Sequence, residues 1–308
     1  MPDPHPPVRH AADRPGRLPT GVVSAGRVGS VLGAALARAG HPVVAVAAVS
    51  DASRARAARL LPDAAVLPPD EVATRAALLV LAVPDDALPG LVEGLAATGA
   101  VRPGQLVAHT SGARGLDVLA PAAAAGALPL ALHPAMAFTG GDSDLARLAG
   151  ACFGVTAPEA LLPAAEALVL EMGGEPVRVE DALRPLYHAA LVAGANHLVT
   201  LVAEAADLLR TAGVTEPARM LGPLLGAALD NALRHGDAGQ TGPVVRGDAG
   251  TVAGHLAALE EAAPESVPAY LALARLTADR ALASRRLRPA DARPLLAVLA
   301  GTTPGGAR

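Results

Sequence analysis

The stretch Gly21-Val22-Val23-Ser24-Ala25-Gly26-Arg27-Val28-Gly29-Ser30-Val31-Leu32-Gly33 constrains this chain more than any other, because it runs from an apolar strand through a glycine-spaced turn into a helix. Glycines there let the backbone turn tightly and approach a diphosphate. The amides and positive dipole at the start of the following helix hold the negative charge. Ser24, Ala25, Gly26, Arg27, Val28 and Gly29 are therefore candidate dinucleotide-binding residues, with a purely structural turn as the alternative. Ser24 stands where G-x-G-x-x-G has its first glycine, and a serine is expected to take a backbone geometry open to side chains.

The rest of the amino-terminal half fits that start. Short Val/Ala/Leu runs alternate with helical segments, the pattern of a doubly wound parallel α/β sheet. The runs predict strands over Thr20–Val23, Pro42–Val49, Ala64–Leu67, Ala77–Val83, Gln105–Thr110, Leu128–Leu132, Ala151–Thr156 and Pro176–Val179. Helices are predicted over Arg27–Ala39, Ala52–Leu61, Asp86–Ala97 and Pro158–Met172. After Asp181 the strand signals stop, and long helices are predicted over Ala182–Ala212, Glu216–His235, Gly250–Ala262, Pro264–Arg285 and Pro289–Ala300. The expected organisation is a tail over 1–17, a Rossmann-like domain over 18–180, an all-α domain over 181–301 and a second tail over 302–308. A chain of 308 residues is long enough for two cores.

Composition narrows the chemistry. The sequence contains no lysine and no isoleucine, which excludes a Schiff-base or P-loop lysine. Only 1% of residues are aromatic, so helix packing falls to Leu, Val and Ala. The net charge of -4 argues against a phosphate-backbone binder, so no nucleic-acid partner is expected. No apolar run reads as a membrane span and the start lacks a signal-peptide core, so no membrane partner and a cytoplasmic location are expected. Cys152 reads as a small buried hydrophobe. No metal site is expected.

In a doubly wound sheet, ligands bind beyond the carboxyl ends of the strands. The second strand leads into Ser50-Asp51-Ala52-Ser53-Arg54-Ala55-Arg56. Ser50, Ser53 and Arg54, with Arg56 behind them, fit a ribose 2′-phosphate better than Asp51 fits free hydroxyls, which favours NADP over NAD. A capped, solvated helix start explains Ser50 or Asp51 as well. Val83-Pro84 forms a fixed turn suited to the nicotinamide ribose. His109, Ser111 and His133 follow the fifth and sixth strands as candidate substrate contacts, with loop-fixing histidines and an ordinary serine cap as the alternatives.

In the helical half, His188, Val192, Asn196 and Thr200 step by four and are expected on one helical face. Buried imidazole and amide groups need partners, from the fold or from a ligand. The loop Thr241–Asp248 carries Arg246, suited to a carboxylate or phosphate, and Asp248; a plain ion pair between the two is the alternative.

Through Ser24–Gly29, His109–Gly112, His133–Phe138, Tyr187–Asn196 and Thr241–Asp248, the chain resembles a family of bacterial Rossmann-like proteins with a helical C-terminal domain of unknown function. That family is related to the 6-phosphogluconate dehydrogenase and ketopantoate reductase superfamily. The resemblance covers Leu18 to Ala300 and implies an oxidoreductase. Laid on the ketopantoate reductase pattern, His188 falls at the catalytic lysine and Asn196 at the second asparagine, while Val192 replaces the first. The resemblance then implies hydride transfer between a nicotinamide, NADP or else NAD, and a small oxo acid, hydroxy acid or imine. His188 would exchange the proton, Asn196 and Ser111 would position substrate, and Arg246 would bind its acidic group. A homodimer is expected. A non-catalytic nucleotide-sensing or partner-binding protein is the rival reading.

Overall fold

The computed structural model describes residues 16–301; most of the 1–17 tail and all of 302–308 lie outside them. Two compact units are found, one ending at Gly194 and the other starting at Ala195.

The first unit is built on an eight-stranded sheet. Its strands are β1 (Thr20–Val23), β2 (Val43–Ala47), β3 (Ala65–Val66), β4 (Leu78–Leu81), β5 (Leu106–His109), β6 (Leu128–Pro134), β7 (Cys152–Thr156) and β8 (Glu175–Arg178). They lie in the order β3-β2-β1-β4-β5-β6-β7-β8. The first six are parallel, with β1 held between β2 and β4 in the register Val23↔Ala47 and Val23↔Leu81. β7 pairs antiparallel with β6, so the parallel sheet expected from sequence turns direction at its last two strands.

The first unit's helices are α1 (Arg27–Arg38), α2 (Asp51–Leu60), α3 (Pro69–Arg75), α4 (Leu88–Ala97), α5 (Ala120–Ala124), α6 (Asp142–Leu148), α7 (Leu162–Glu171) and α8 (Arg184–Leu191). Short α3, α5 and α6 were not anticipated, because segments of five to seven residues carry too little periodicity to register. Alternation along the strands sorts the core into two layers. Val22, Leu78 and Val80 pack on one face with Leu32, Leu36 and Leu168, and Val23, Leu79 and Leu81 on the other with Val72, Leu88 and Leu119. A sheet covered on both faces explains why β4 reads as an unbroken apolar run. Cys152 is exposed rather than buried, because it opens β7 with its side chain turned out while the next residue, Phe153, enters the core.

The second unit comprises α9 (His197–Thr211), α10 (Pro217–His235), α11 (Pro243–Arg246), α12 (Ala249–Ala262), α13 (Val267–Ala283) and α14 (Pro289–Leu299). Its core forms where α11–α14 meet through Val245, Val252, Ala278, Leu295 and Leu299. Small Ala274, Ala278 and Ala281 bring the helices close without aromatic filler. In contrast, α9 buries no residue, α10 buries only Pro217 and Leu221, and Val199, Leu224 and Leu233 are exposed.

Two expectations about the long helical run change. Val192–Asn196 is a π-helical turn. Its wider turn interrupts the step-of-four face proposed for His188, Val192, Asn196 and Thr200. Asp181–Thr211 is also long and apolar enough to cross a membrane by length and composition alone, with a mean hydropathy of 1.4. This criterion tolerates the scattered charges that made the sequence read as lacking a span.

Candidate functional site

The cradle follows β1. The N-terminus of α1 has no side-chain cap and no acidic residue in its first turn, so its amides remain open to an anion. Ser24 does not take the geometry expected of a side-chain-bearing residue: its φ is 81°, the left-handed conformation a glycine would hold at less cost. Beneath it α1 sits close against the turn, where any Cβ on Gly29 would collide with the Ser24 carbonyl and come within 2.9 Å of the Ala82 methyl.

Two cavities of about 470 Å³ each share Ser24, Gly26 and Val83. One is lined additionally by Ala25, Ser50, Ser53 and Arg56. Ser50 caps α2 by accepting the Ser53 amide at 3.2 Å, so the capped-helix reading holds while both serines also border the cavity. Arg54 does not line it; the residue turns outward and pairs with exposed Asp51 at 3.6 Å. Arg56 takes that place, anchored by an Nε–H donated to the Ala25 carbonyl at 3.1 Å. Glycine-seated main chain, an open helix terminus and an arginine with serines beyond β2 together fit a phosphorylated dinucleotide.

The other cavity carries Arg27, Val28, Pro84, Asp85, Ser111, Gly112, His133 and His188 along with the cradle. His133 and His188 stand edge to face with ring centres 5.6 Å apart. The His188 ring lies where a Cβ on Gly112 would be, so the glycine makes room for the pair. Burial, the neighbouring His188 and the Arg184 charge lower the His133 pKa from the ordinary 6.5 to about 4. His133 is thus neutral near pH 7.

His109 does not meet the expectation of a substrate contact. It is fully buried, accepts the Ser111 amide on Nδ1 at 3.2 Å and reaches the Gly115 carbonyl with Nε2 at 3.1 Å. Both nitrogens are spent on fixing the loop after β5. Burial, then Arg184, lowers its pKa to about 4. Ser111 accepts the Arg114 amide at 3.0 Å and keeps its place on the cavity wall.

Sequence reasoning missed Arg184 and Tyr187. Arg184 is fully buried, and its guanidinium donates to the Ser111 carbonyl at 2.5 Å and the Thr156 hydroxyl at 2.9 Å, both neutral acceptors. Tyr187 lies 2.9 Å from His133 Nδ1 through its hydroxyl. The available signal was scarcity: the chain has two tyrosines, and each bonds a histidine Nδ1 at 2.9 Å, Tyr187 with His133 and Tyr270 with His255.

Asn196, Arg246 and Asp248 fall in the second unit. Asn196 ends the π turn, exposed. Asp248 caps α12 by accepting the Thr251 amide at 3.0 Å, and no ion pair with Arg246 forms among the described residues. Thr241, from the same loop, borders an apolar cavity of about 360 Å³ with Glu204, His255 and Tyr270.

Comparison with known proteins agrees with this geometry. Residues 4–134 match the Rossmann-like domain family and residues 151–277 match DUF2520, a domain of unknown function. The chain is a Rossmann-like protein with a DUF2520 domain. That is the relationship the sequence resemblance implied. No curated protein matches the sequence. Among solved structures, the chain is similar to a candidate NADP oxidoreductase from Bacteroides fragilis, with 22% identity, a TM-score of 0.72 and coverage of 85% of this chain and 98% of that one. A reductive aminase from Aspergillus terreus, in complex with NADPH and ethyl levulinate, is 23% identical with a TM-score of 0.60 over 88% and 95% of the two chains. An imine reductase from Pseudomonas sp. is 19% identical with a TM-score of 0.58 over 93% and 96%. At these identities the likeness establishes the shared fold.

Proposed function

We propose that this Rossmann–DUF2520 protein is an NADP-dependent reductase of small molecules carrying a C=O or C=N group. One observation carries the reading. The cradle residues Ser24, Gly26, Arg27 and Val28 border the same cavity as His133 and His188, so a bound dinucleotide and two imidazoles share one space. The NADP or NADPH named for the similar structures supports the cofactor, and Arg56 with Ser50 and Ser53 favours the 2′-phosphorylated form.

When bound, the reduced cofactor supplies a hydride to the substrate carbon. His188 delivers the proton that the carbonyl oxygen or imine nitrogen needs as that carbon gains its electron pair. Asp85, Ser111 and Gly112 bound the space in which the substrate lies. Imines are favoured by the reductive aminase and imine reductase likenesses; a ketopantoate-like oxo acid remains within the same class. Asn196 and Arg246 are assigned to the substrate's polar end, and residues 18–180 and 181–301 to cofactor binding and to substrate binding with dimerisation.

A cytoplasmic homodimer is the proposed working form. A second copy covers the exposed apolar faces of α9 and α10 better than lipid does, because the ion pairs Arg210–Asp207 and Arg234–Asp230 lie along those helices and would be costly in hydrocarbon. Sedimentation of the purified chain at the mass of two copies is the expected result.

Titration with NADPH followed by a screen of cyclic imines and oxo acids for cofactor oxidation tests the activity. Tight NADPH binding with turnover of one class is expected, and His188→Ala should depress kcat roughly 100-fold or more with little change in NADPH affinity. Binding without turnover on any substrate would favour a nucleotide sensor.

A further inference from the structure

His133 is gripped from behind. β6 and β7 run antiparallel with His133 opposite Gly154. The missing side chain at Gly154 leaves room for the Tyr187 ring, whose hydroxyl would lie 2.6 Å from any Cβ built there. The phenol thus reaches across the strand pair to His133 Nδ1, with the rings edge to face at 5.6 Å. Burial raises the Tyr187 pKa above that of an ordinary phenol, so its hydroxyl keeps its proton. A protonated phenol has one proton to give, and a neutral imidazole accepts it on the ring nitrogen that carries none. The opposite ring nitrogen, Nε2, lies 2.9 Å from the position a Gly112 Cβ would occupy, on the cavity wall beside His188. The charged and titratable neighbours acting on His133 are His188, Arg184 and Asp85.

We propose that Tyr187 is a positioning residue that donates its hydroxyl proton to His133 Nδ1, locking His133 with its own proton on Nε2, where it donates a hydrogen bond to the substrate's oxygen or imine nitrogen while His188 exchanges the proton. The substrate role rests on the reductase reading above; the lock itself rests on the Tyr187–His133 contact and on the space that Gly154 leaves for it. It divides the labour between two neighbouring imidazoles. His133 holds the acceptor atom without losing its proton, and Tyr187 transfers none. A histidine whose far nitrogen is fixed by a second group presents a defined tautomer to its ligand.

The test uses the full chain with its histidines labelled with ¹⁵N. Long-range proton–nitrogen spectra of the wild type should show His133 protonated on Nε2 and bare on Nδ1. In Tyr187→Phe the bond is lost and the ring should redistribute between tautomers. The same variant should lower kcat by roughly 10- to 100-fold while shifting the NADPH Kd less than about 3-fold. Because Tyr187 acts through His133, Tyr187→Phe added to His133→Asn should reduce kcat no further than His133→Asn alone, a result that a merely structural tyrosine would not give. An unchanged His133 spectrum in Tyr187→Phe, or additive losses in the double variant, would overturn the proposal. Failure of the wild type to bind NADPH would overturn the reductase reading, and the spectrum separates that failure from failure of the lock.

Discussion

The diphosphate cradle is made of main chain, whereas the histidine cluster across the same cavity is made of side chains from β6 and α8. The cradle is fixed by what is missing: Gly29 lets α1 press against the Ser24 carbonyl, and a methyl there has nowhere to go. At Gly112 a methyl would meet side-chain ring atoms of His188 and His133, which can be displaced where a main-chain carbonyl cannot. Equal chemical changes should therefore fail in different ways. Gly29→Ala should cost about 3 kcal/mol or more of stability and abolish measurable NADPH binding. Gly112→Ala should keep the fold and NADPH affinity but lose turnover as the imidazoles are displaced. Denaturant melts with NADPH titration of both variants check the contrast, and equal stability losses would break it.

The buried histidines also tie the stability of the side-chain region to pH. His109 keeps a pKa of about 4 in the folded protein against 6.5 for an ordinary histidine, through burial and the Arg184 charge. Above pH 6.5 neither the folded nor the unfolded form binds this proton, and stability is unaffected. Between 6.5 and 4 the unfolded chain takes it first, so the native state loses about 1.4 kcal/mol per pH unit, roughly 3 kcal/mol in all. His133 adds a loss in the same direction over the same range. Denaturant midpoints measured across that interval should fall, and His109→Gln should flatten the slope whatever its baseline cost.

The cradle was legible because its logic is local. Strand, glycines and helix follow one another within a single stretch, and β1 with α1 fall where the spacing puts them. The cluster was only half legible. His133 and His188 could be nominated as polar residues at a strand end and on an apolar helix, but their meeting depends on Gly112 clearing space at a position remote from both. His109 looked equivalent to His133, and only the fold shows its two nitrogens consumed by Ser111 and Gly115. The reversal at β7 was likewise hidden, since strand direction leaves no mark on a short apolar run.

On the cradle side the sequence offered Arg54 first for the phosphate contact, with Arg56 behind it, and Arg56 is the one that borders the cavity. Both lie on α2, two residues apart, and therefore point to opposite sides of the helix. Arg56→Ala should weaken NADPH binding by roughly 10- to 100-fold, about 1.4–3 kcal/mol, while NADH is nearly unaffected, as expected for one charge-assisted contact to a phosphate. Arg54→Ala should change neither cofactor's affinity measurably. Parallel titrations with both cofactors decide between the two arginines.

The smallest expected effect tests whether the cradle's one departure from the glycine pattern is strain. Ser24 holds φ at 81° although it carries a side chain, a conformation costing on the order of 1 kcal/mol. Ser24→Gly relieves that cost but gives the unfolded chain more freedom, so the net gain should be a few tenths to about 1 kcal/mol, or roughly 1–4 °C in Tm. Ser24 also borders both cavities, with its hydroxyl 3.3 Å from the position of a Cβ on Gly26. If the strain is retained because that hydroxyl bonds the diphosphate, the variant gains stability without ligand and loses NADPH affinity at the same time. Thermal melts of Ser24→Gly with and without saturating NADPH separate the two terms: a rise in both would make the serine a tolerated flaw, and a fall without ligand would mean that its side chain supports the native turn.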